Sequence, residues 1–133
     1  MKREEILTGV RECLASALDA DPAEVREDSR LVADLGADSL DLLDLTFQLE
    51  QRFRIRISPR DIELRTREKL GGAALEVDGV YTPEALAEFR AAMPEVPAEE
   101  LAPGLTVAGL PRCFRVATMV RLVERLTGGN GHG

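Results

Sequence analysis

The sequence predicts an all-α protein, and two observations indicate it. The 133 residues contain no tryptophan and only 4% aromatic residues, whereas leucine, alanine, valine and glutamate are frequent. Such a composition favours helices over a β-sandwich. Apolar residues also recur at helical spacing in several runs along the chain. A chain of this length corresponds to one domain with a modest hydrophobic core.

The amphipathic runs predict individual helices. Helix I should span about residues 2–19, because its apolar residues fall within one arc and Pro22 follows its end. Helix II should span about residues 39–53. A shorter helix should begin at residues 82–84, where Pro83 occupies the first turn, and its apolar stripe consists of Leu86, Phe89 and Met93. The last helix has an apolar face made of Val116, Met119, Val120, Leu122, Val123 and Leu126.

A loop that ends in a serine at the start of helix II organises the chain. Gly36 can adopt the turn conformations that other residues avoid, and Asp38 or Ser39 can cap the helix. Ser39 is therefore expected at a helix N-terminus, where free N–H groups and a partial positive charge favour a phosphate. A plain N-cap role for the Asp-Ser pair is the alternative.

A serine hydrolase is the obvious competing class for an exposed serine. The residues around Ser39 lack the glycines of a nucleophile elbow. The only histidine, His132, lies in a glycine-rich tail, so no base is placed to activate the hydroxyl. Cys13 and Cys113 stand at no metal-ligand spacing and are expected to be buried. The sequence thus predicts neither a hydrolase nor a metal site.

The string Asp34-Leu35-Gly36-Ala37-Asp38-Ser39-Leu40-Asp41 resembles the prosthetic-group motif of acyl carrier proteins. The resemblance extends over residues 1 to about 61. It implies that Ser39 carries 4′-phosphopantetheine through a phosphodiester, with Asp38 and Leu40 beside it, and that an acyl chain is held on the terminal thiol. It also implies a carrier and not an enzyme, because a phosphopantetheinyl transferase modifies the serine and other enzymes act on the thioester.

The resemblance further implies an up-and-down four-helix bundle, here with a helical insertion between helix II and the last helix. We expect a single acyl-carrier domain over residues 1–127, in which 1–61 and about 105–127 form the carrier core. Residues 62–104 would form the insertion, and residues 128–133 a disordered tail. By resemblance, the residues that line the acyl pocket would be Leu31, Leu49, Ile57, Val116 and Val120.

Carriers with such an insertion resemble specialised bacterial proteins that hold hydroxylated or very long acyl chains for lipid A and related lipids. General fatty acid biosynthesis is the other pathway in the same class. A polyketide or nonribosomal peptide carrier is an alternative, although the string around Ser39 looks more like that of fatty-acid carriers. An unmodified domain that keeps the fold and only binds partners is a further alternative.

Helix II has more apolar surface than one core contact can use. Leu43 and Phe47, together with Leu40, should therefore contact another segment of the chain or a partner protein. By resemblance, Asp41 and Asp44 would dock on basic patches of acyl-processing enzymes, and the alternative is a solvated first turn favoured by the helix dipole. We also expect the stripe of the insertion to pack against the bundle beside the acyl cavity, with a mobile excursion as the alternative.

Charge limits the partners of the chain. A net charge of −7 argues against nucleic acid and against stable association with anionic membranes. Residues 1–50 carry a net −8, residues 51–75 +4, residues 76–104 −6 and residues 105–133 +3. The basic block contains Arg52, Arg54, Arg56 and Arg60, which would pair with the acidic block or contact partners. No run has the length of a signal h-region or a membrane span, so we expect a cytoplasmic protein. We also expect a monomer.

Overall fold

The computed structural model describes residues 2–58 and 60–131, with side chains described as far as residue 128. Within these residues lie five α-helices: α1 (Arg3–Leu18), α2 (Ser39–Phe53), α3 (Asp61–Leu70), α4 (Pro83–Ala92) and α5 (Val116–Gly131). Short 3₁₀ helices span Pro22–Glu24, Ala98–Glu100 and Leu110–Cys113. Strands β1 (Glu76–Val77) and β2 (Val80–Tyr81) form one small antiparallel hairpin. The prediction of an all-α fold is confirmed.

The chain divides into two compact units. The first consists of Met1–Ile57 and Phe114–Gly133 and contains α1, α2 and α5, and the second is Ser58–Cys113 and contains α3, α4 and the hairpin. Residues 58–61 and 105–113, which we had expected in the carrier core, thus belong to the second unit. Backbone hydrogen bonds explain this for residues 105–107, because Tyr81 N–H donates to Leu105 O at 3.0 Å and Val107 N–H to Gly79 O at 2.9 Å.

The core of the first unit forms where α1 packs against both α2 and α5. Gly9 on α1 faces the ring of Phe53 at the end of α2, and a Cβ atom there would lie 2.5 Å from Phe53 Cζ. Glycine therefore allows the two helices to approach at this point. The buried members of the core are Ile6, Val10, Cys13, Leu14, Val25, Leu31, Ala37, Leu45, Leu49, Phe53, Val116, Met119, Val120 and Val123.

The last helix is longer than the sequence indicated. We had expected a disordered tail from residue 128, because glycine is a weak helix former. The structure continues α5 through Gly131, and His132 and Gly133 lie outside the described residues. Each residue added to an existing helix gains a backbone hydrogen bond without a new nucleation step. Continuation from a long helix is thus easier than propensity alone suggests.

The second unit is built on the packing of α3 against α4. Asp78 and Gly79 connect the two strands with φ of 53° and 80°. Positive φ at both central residues is the requirement of a type I′ hairpin turn. An Asp-Gly pair is a local sequence signal for such a turn, whereas strands of two residues are too short to recognise in a sequence.

Helix α4 has the start and the apolar stripe that the sequence predicted. Thr82 is the N-cap, and its side chain accepts a hydrogen bond from Ala85 N–H at 3.2 Å. The three residues of the stripe are buried. The ring of Phe89 meets that of Tyr81 edge to face, with centroids 4.7 Å apart. Phe89 in the stripe therefore has a partner within the second unit, and the packing of the stripe against the bundle stays a prediction.

Over residues 2–58 and 60–131, no helix combines the length and the apolar character needed to cross a bilayer.

Candidate functional site

The loop before Ser39 is held against the start of α5. Leu31 is fully buried, and its N–H donates to Phe114 O at 3.0 Å. Val116 N–H, at the start of α5, donates to Ser29 O at 3.0 Å. Leu31 O in turn accepts a hydrogen bond from Ala37 N–H at 2.9 Å. These bonds link the start of α5 to the residue two positions before Ser39.

Arg30 and Asp34, in the same loop, are joined by hydrogen bonds from the backbone and the side chain of Arg30. The Asp34 carboxylate accepts from Arg30 N at 2.8 Å, from Arg30 Nε at 3.2 Å and from Arg30 Nη2 at 3.0 Å. The hydrogen bonds from the Arg30 side chain and backbone hold the pKa of Asp34 below its usual value. Gly36 follows with φ of 74°, the left-handed conformation for which glycine is suited.

The start of α2 is closed by a reciprocal capping box. Asp38 is the N-cap, and its Oδ1 accepts from Asp41 N–H at 2.8 Å. Asp41 Oδ2 accepts from Asp38 N–H at 3.0 Å. The capping role of Asp38 was one of the two sequence interpretations, whereas the return bond from Asp41 was missed. An acidic residue three positions after the N-cap is the signal that would have indicated it.

Ser39 is the first residue of α2 and is exposed. It lies at the end of the helix that carries unpaired N–H groups and a partial positive charge. An exposed serine in this position fits a phosphodiester, since the phosphate would lie at the partial positive charge of the helix N-terminus. The structure therefore gives Ser39 the accessibility that attachment of a large group requires.

The apolar side chains of helix II that the core does not use are exposed on the surface. Leu40, Leu43 and Phe47 are 75%, 51% and 54% exposed. Asp44 is also exposed, and its carboxylate accepts from Gln48 Nε2 at 3.1 Å. The exposed face of α2 thus combines three apolar side chains with acidic groups of the first two turns. The structure brings the predicted docking residues together, and their role stays a prediction.

The five side chains expected to line an acyl pocket lie within one core. Leu31, Leu49, Val116 and Val120 are buried members of the core of the first unit, and Ile57 packs against it half-buried. Ile57 is held by its N–H, which donates to Glu50 Oε2 at 2.9 Å. Tertiary packing thus brings together residues that lie far apart in the sequence, such as Leu31 and Val120. The five residues form an apolar interior, and its use for an acyl chain stays a prediction.

The described residues contain no histidine that could act as a base beside Ser39. The one histidine of the sequence lies outside them. No group of three His, Cys, Asp or Glu side chains suited to a metal ion occurs in the described part of the chain. Cys13 and Cys113 are buried, as predicted, and burial raises the pKa of the Cys13 thiol.

The arginine-rich segment serves several local contacts. Arg52 Nη2 lies 2.6 Å from Glu12 Oε1 on α1. Arg60 pairs with Glu63 and lies 3.8 Å from Glu76 Oε2, a member of the acidic block. Arg54 terminates α2 with φ of 55°. One of the four arginines therefore reaches the acidic block, and another pairs within the first unit.

The comparisons with known proteins agree with this geometry. Residues 8–73 match the family model described as "Phosphopantetheine attachment site". An acyl carrier protein of Thermotoga maritima is 41% identical over 61 residues, which cover 46% of this chain and 75% of the relative. The acyl carrier protein of Wolinella succinogenes is 41% identical over 58 residues, which cover 44% and 76%. No solved structure shows a significant match. The chain therefore belongs to the acyl carrier protein family, whose members bear phosphopantetheine and are carriers rather than enzymes.

Proposed function

We propose that Ser39 is the residue that bears 4′-phosphopantetheine. The observation that carries the proposal is the position of Ser39, exposed at the first residue of α2 and directly after the N-cap residue Asp38. The hydroxyl needs no activating side chain of its own, because a separate transferase supplies the base. Asp38 caps the helix on one side of the serine, and the exposed Leu40 lies on the other.

The modification is a single group transfer at the serine oxygen. Ser39 Oγ loses its proton to the transferase and forms a bond to phosphorus of coenzyme A, and adenosine 3′,5′-bisphosphate leaves. The terminal thiol of the attached group supplies the thioester that holds an acyl chain. Every step at the thioester then belongs to partner enzymes, which is why this chain needs no nucleophile–base pair.

The apolar interior of the first unit is the proposed place for the acyl chain. Each CH₂ group left in water costs about 0.8 kcal/mol relative to an apolar environment. The side chains that would surround the chain are apolar, and four of them are buried. They are Leu31, Leu49, Ile57, Val116 and Val120. Burial between α1, α2 and α5 would protect the chain until a partner offers a better site.

The exposed face of α2 is the proposed docking surface. Leu43 and Phe47 supply apolar contacts, and Asp41 and Asp44 supply negative charge for basic patches on the transferase and on acyl-processing enzymes. Replacing Asp44 with Asn should raise KM for modification, more strongly at low salt where charge steering is greatest. Glu24→Gln removes one exposed charge outside α2 and should leave KM unchanged. Equal effects of the two variants would argue against a local docking surface.

For the pathway we propose fatty acid or specialised lipid biosynthesis, on the likeness of residues 34–41 to fatty-acid carriers. A polyketide or peptide carrier is the alternative. Loading of the modified protein with fatty acyl, hydroxyacyl and aminoacyl groups by the corresponding synthetases distinguishes these classes. Cytoplasmic location and a monomeric state stay predictions, which cell fractionation and sedimentation would test.

Intact-mass measurement tests the attachment site. After co-expression with a phosphopantetheinyl transferase, the mass should rise by one phosphopantetheine, and Ser39→Ala should abolish the rise. Ser16→Ala, which removes an exposed hydroxyl from α1, is the matched control and should be modified normally. A gain that persists in Ser39→Ala would refute Ser39 as the site. An unchanged mass of the wild-type protein beside an active transferase would indicate an unmodified interaction domain.

A further inference from the structure

The backbone around Ser39 is fixed on both sides. Upstream, Ala37 is buried and its N–H donates to Leu31 O at 2.9 Å. Downstream, Asp38 and Asp41 exchange two hydrogen bonds of 2.8 and 3.0 Å across Ser39. The Asp38 carbonyl also accepts a helical hydrogen bond from Leu42 N–H at 3.0 Å. Ser39 is thus an exposed residue within a hydrogen-bonded backbone segment, and the Asp38 N–H in that segment is held by the Asp41 side chain.

Asp41 and Asp44 differ in the groups that donate hydrogen bonds to their carboxylates. Asp41 accepts from the backbone N–H of Asp38, the residue directly before the serine. Asp44, one turn further along the same helix, accepts from the side chain of Gln48. A purely electrostatic role in docking predicts similar consequences when either carboxylate is removed. A role in holding the backbone at Ser39 predicts a consequence at Asp41 only.

We propose that Asp41 is a positioning residue for the modification of Ser39 and acts through its hydrogen bond to the backbone of Asp38. The proposal rests on Ser39 as the attachment residue. It assigns Asp41 a second role beside the charge that it contributes to docking. The turn that presents the Ser39 hydroxyl would loosen without this bond, and fewer encounters with the transferase would bring Oγ in line with phosphorus.

Asparagine and alanine separate the two roles of the carboxylate. Asp41→Asn removes the charge but keeps an oxygen that can accept from Asp38 N–H. Asp41→Ala removes both. The same pair of substitutions at Asp44 controls for the change from amide to methyl side chain. Alanine is the better helix former, so helix propensity favours the alanine variants and cannot explain a loss in Asp41→Ala.

The experiment measures kcat and KM of modification by a phosphopantetheinyl transferase with coenzyme A, at low and high salt. We expect kcat of Asp41→Ala to lie about fivefold below that of Asp41→Asn at both salt concentrations, in line with the loss of one capping bond. Asp44→Ala and Asp44→Asn should agree within about twofold. Hydrogen exchange at the Asp38 amide should accelerate in Asp41→Ala alone.

Loss of stability is controlled independently. Gly9→Ala, which disturbs the contact of α1 with Phe53, should lower global stability and leave kcat unchanged. Equal kcat values for Asp41→Ala and Asp41→Asn would overturn the positioning role, as would a matching loss of kcat in Gly9→Ala. A failure of Ser39 as the attachment site is a separate result, since modification would then persist in Ser39→Ala whatever stands at position 41.

Discussion

Replacement of Gly9 by alanine should destabilise the first unit, although alanine is the better helix former. The added Cβ would lie 2.5 Å from Phe53 Cζ and 3.3 and 3.4 Å from the adjacent ring carbons Cε1 and Cε2. Carbon atoms pack best at about 3.5–4.0 Å, so the ring must move by roughly 1 Å. Phe53 is only 8% exposed and belongs to the packed core, which leaves little room for that movement.

Two opposing effects determine how much the free energy of unfolding changes in Gly9→Ala. Overpacking of a core typically costs about 1–3 kcal/mol, whereas exchange of glycine for alanine within a helix gains about 1 kcal/mol. We therefore expect the free energy of unfolding of Gly9→Ala to fall by about 1 kcal/mol. Urea unfolding followed by circular dichroism at 222 nm measures this difference, and the slope of the transition should not change.

Gly128 provides the matched control. It also lies in a helix, and a Cβ atom there would meet nothing within 4 Å. Gly128→Ala should therefore raise stability by up to about 1 kcal/mol. In a Phe53→Leu background, which makes room beside Gly9, the added methyl group should become neutral or stabilising. Equal stabilisation by Gly9→Ala and Gly128→Ala in the wild-type background would refute the steric argument.

Three further predictions concern titration and capping. Arg30 lowers the pKa of Asp34, so this pair stabilises the fold above the ordinary carboxyl range and loses its effect as pH falls through the folded pKa. Asp34→Asn should therefore be less stable than wild type in urea at pH 7, and the difference should disappear in acid. Burial raises the pKa of Tyr81. The tyrosine of the unfolded chain ionises at about pH 10, so the wild-type protein should lose stability above that pH. Tyr81→Phe should lack this loss. Absorbance of the one tyrosine in the sequence reports its titration. In Thr82→Ala the free energy of unfolding should fall by about 1 kcal/mol, because the side chain that accepts from Ala85 N–H is removed, and hydrogen exchange in α4 should accelerate. Thr82→Ser keeps the hydroxyl and should show neither effect.

Local features of the chain were predictable because they depend on neighbouring residues. Helix II was expected at about 39–53, and α2 spans Ser39–Phe53. Helix I was expected at about 2–19, and α1 spans Arg3–Leu18. The start and the apolar stripe of α4 were also predicted from the sequence. Apolar periodicity, capping residues and turn dipeptides each lie within a few residues of the helix or turn that they determine.

The motif around Ser39 likewise indicated the family and the cofactor from sequence alone. Eight consecutive residues, 34–41, carried the resemblance, and the family match over residues 8–73 includes them. What those residues contact within the loop was not readable from the motif. The bond from Asp41 back to Asp38 requires a side-chain conformation, and the three bonds between Arg30 and Asp34 require the loop to bend back on itself.

Only the tertiary structure decided which distant segments meet. It joined Leu31 to Phe114, placed Phe53 against Gly9, and gave Phe89 the ring of Tyr81 as a partner. It also assigned residues 105–113 to the second unit, where Leu105 and Val107 form hydrogen bonds with the hairpin. An apolar pattern shows that a face must be buried, and it does not show against what. That choice depends on the path of the whole chain, which brings together residues that no local pattern connects.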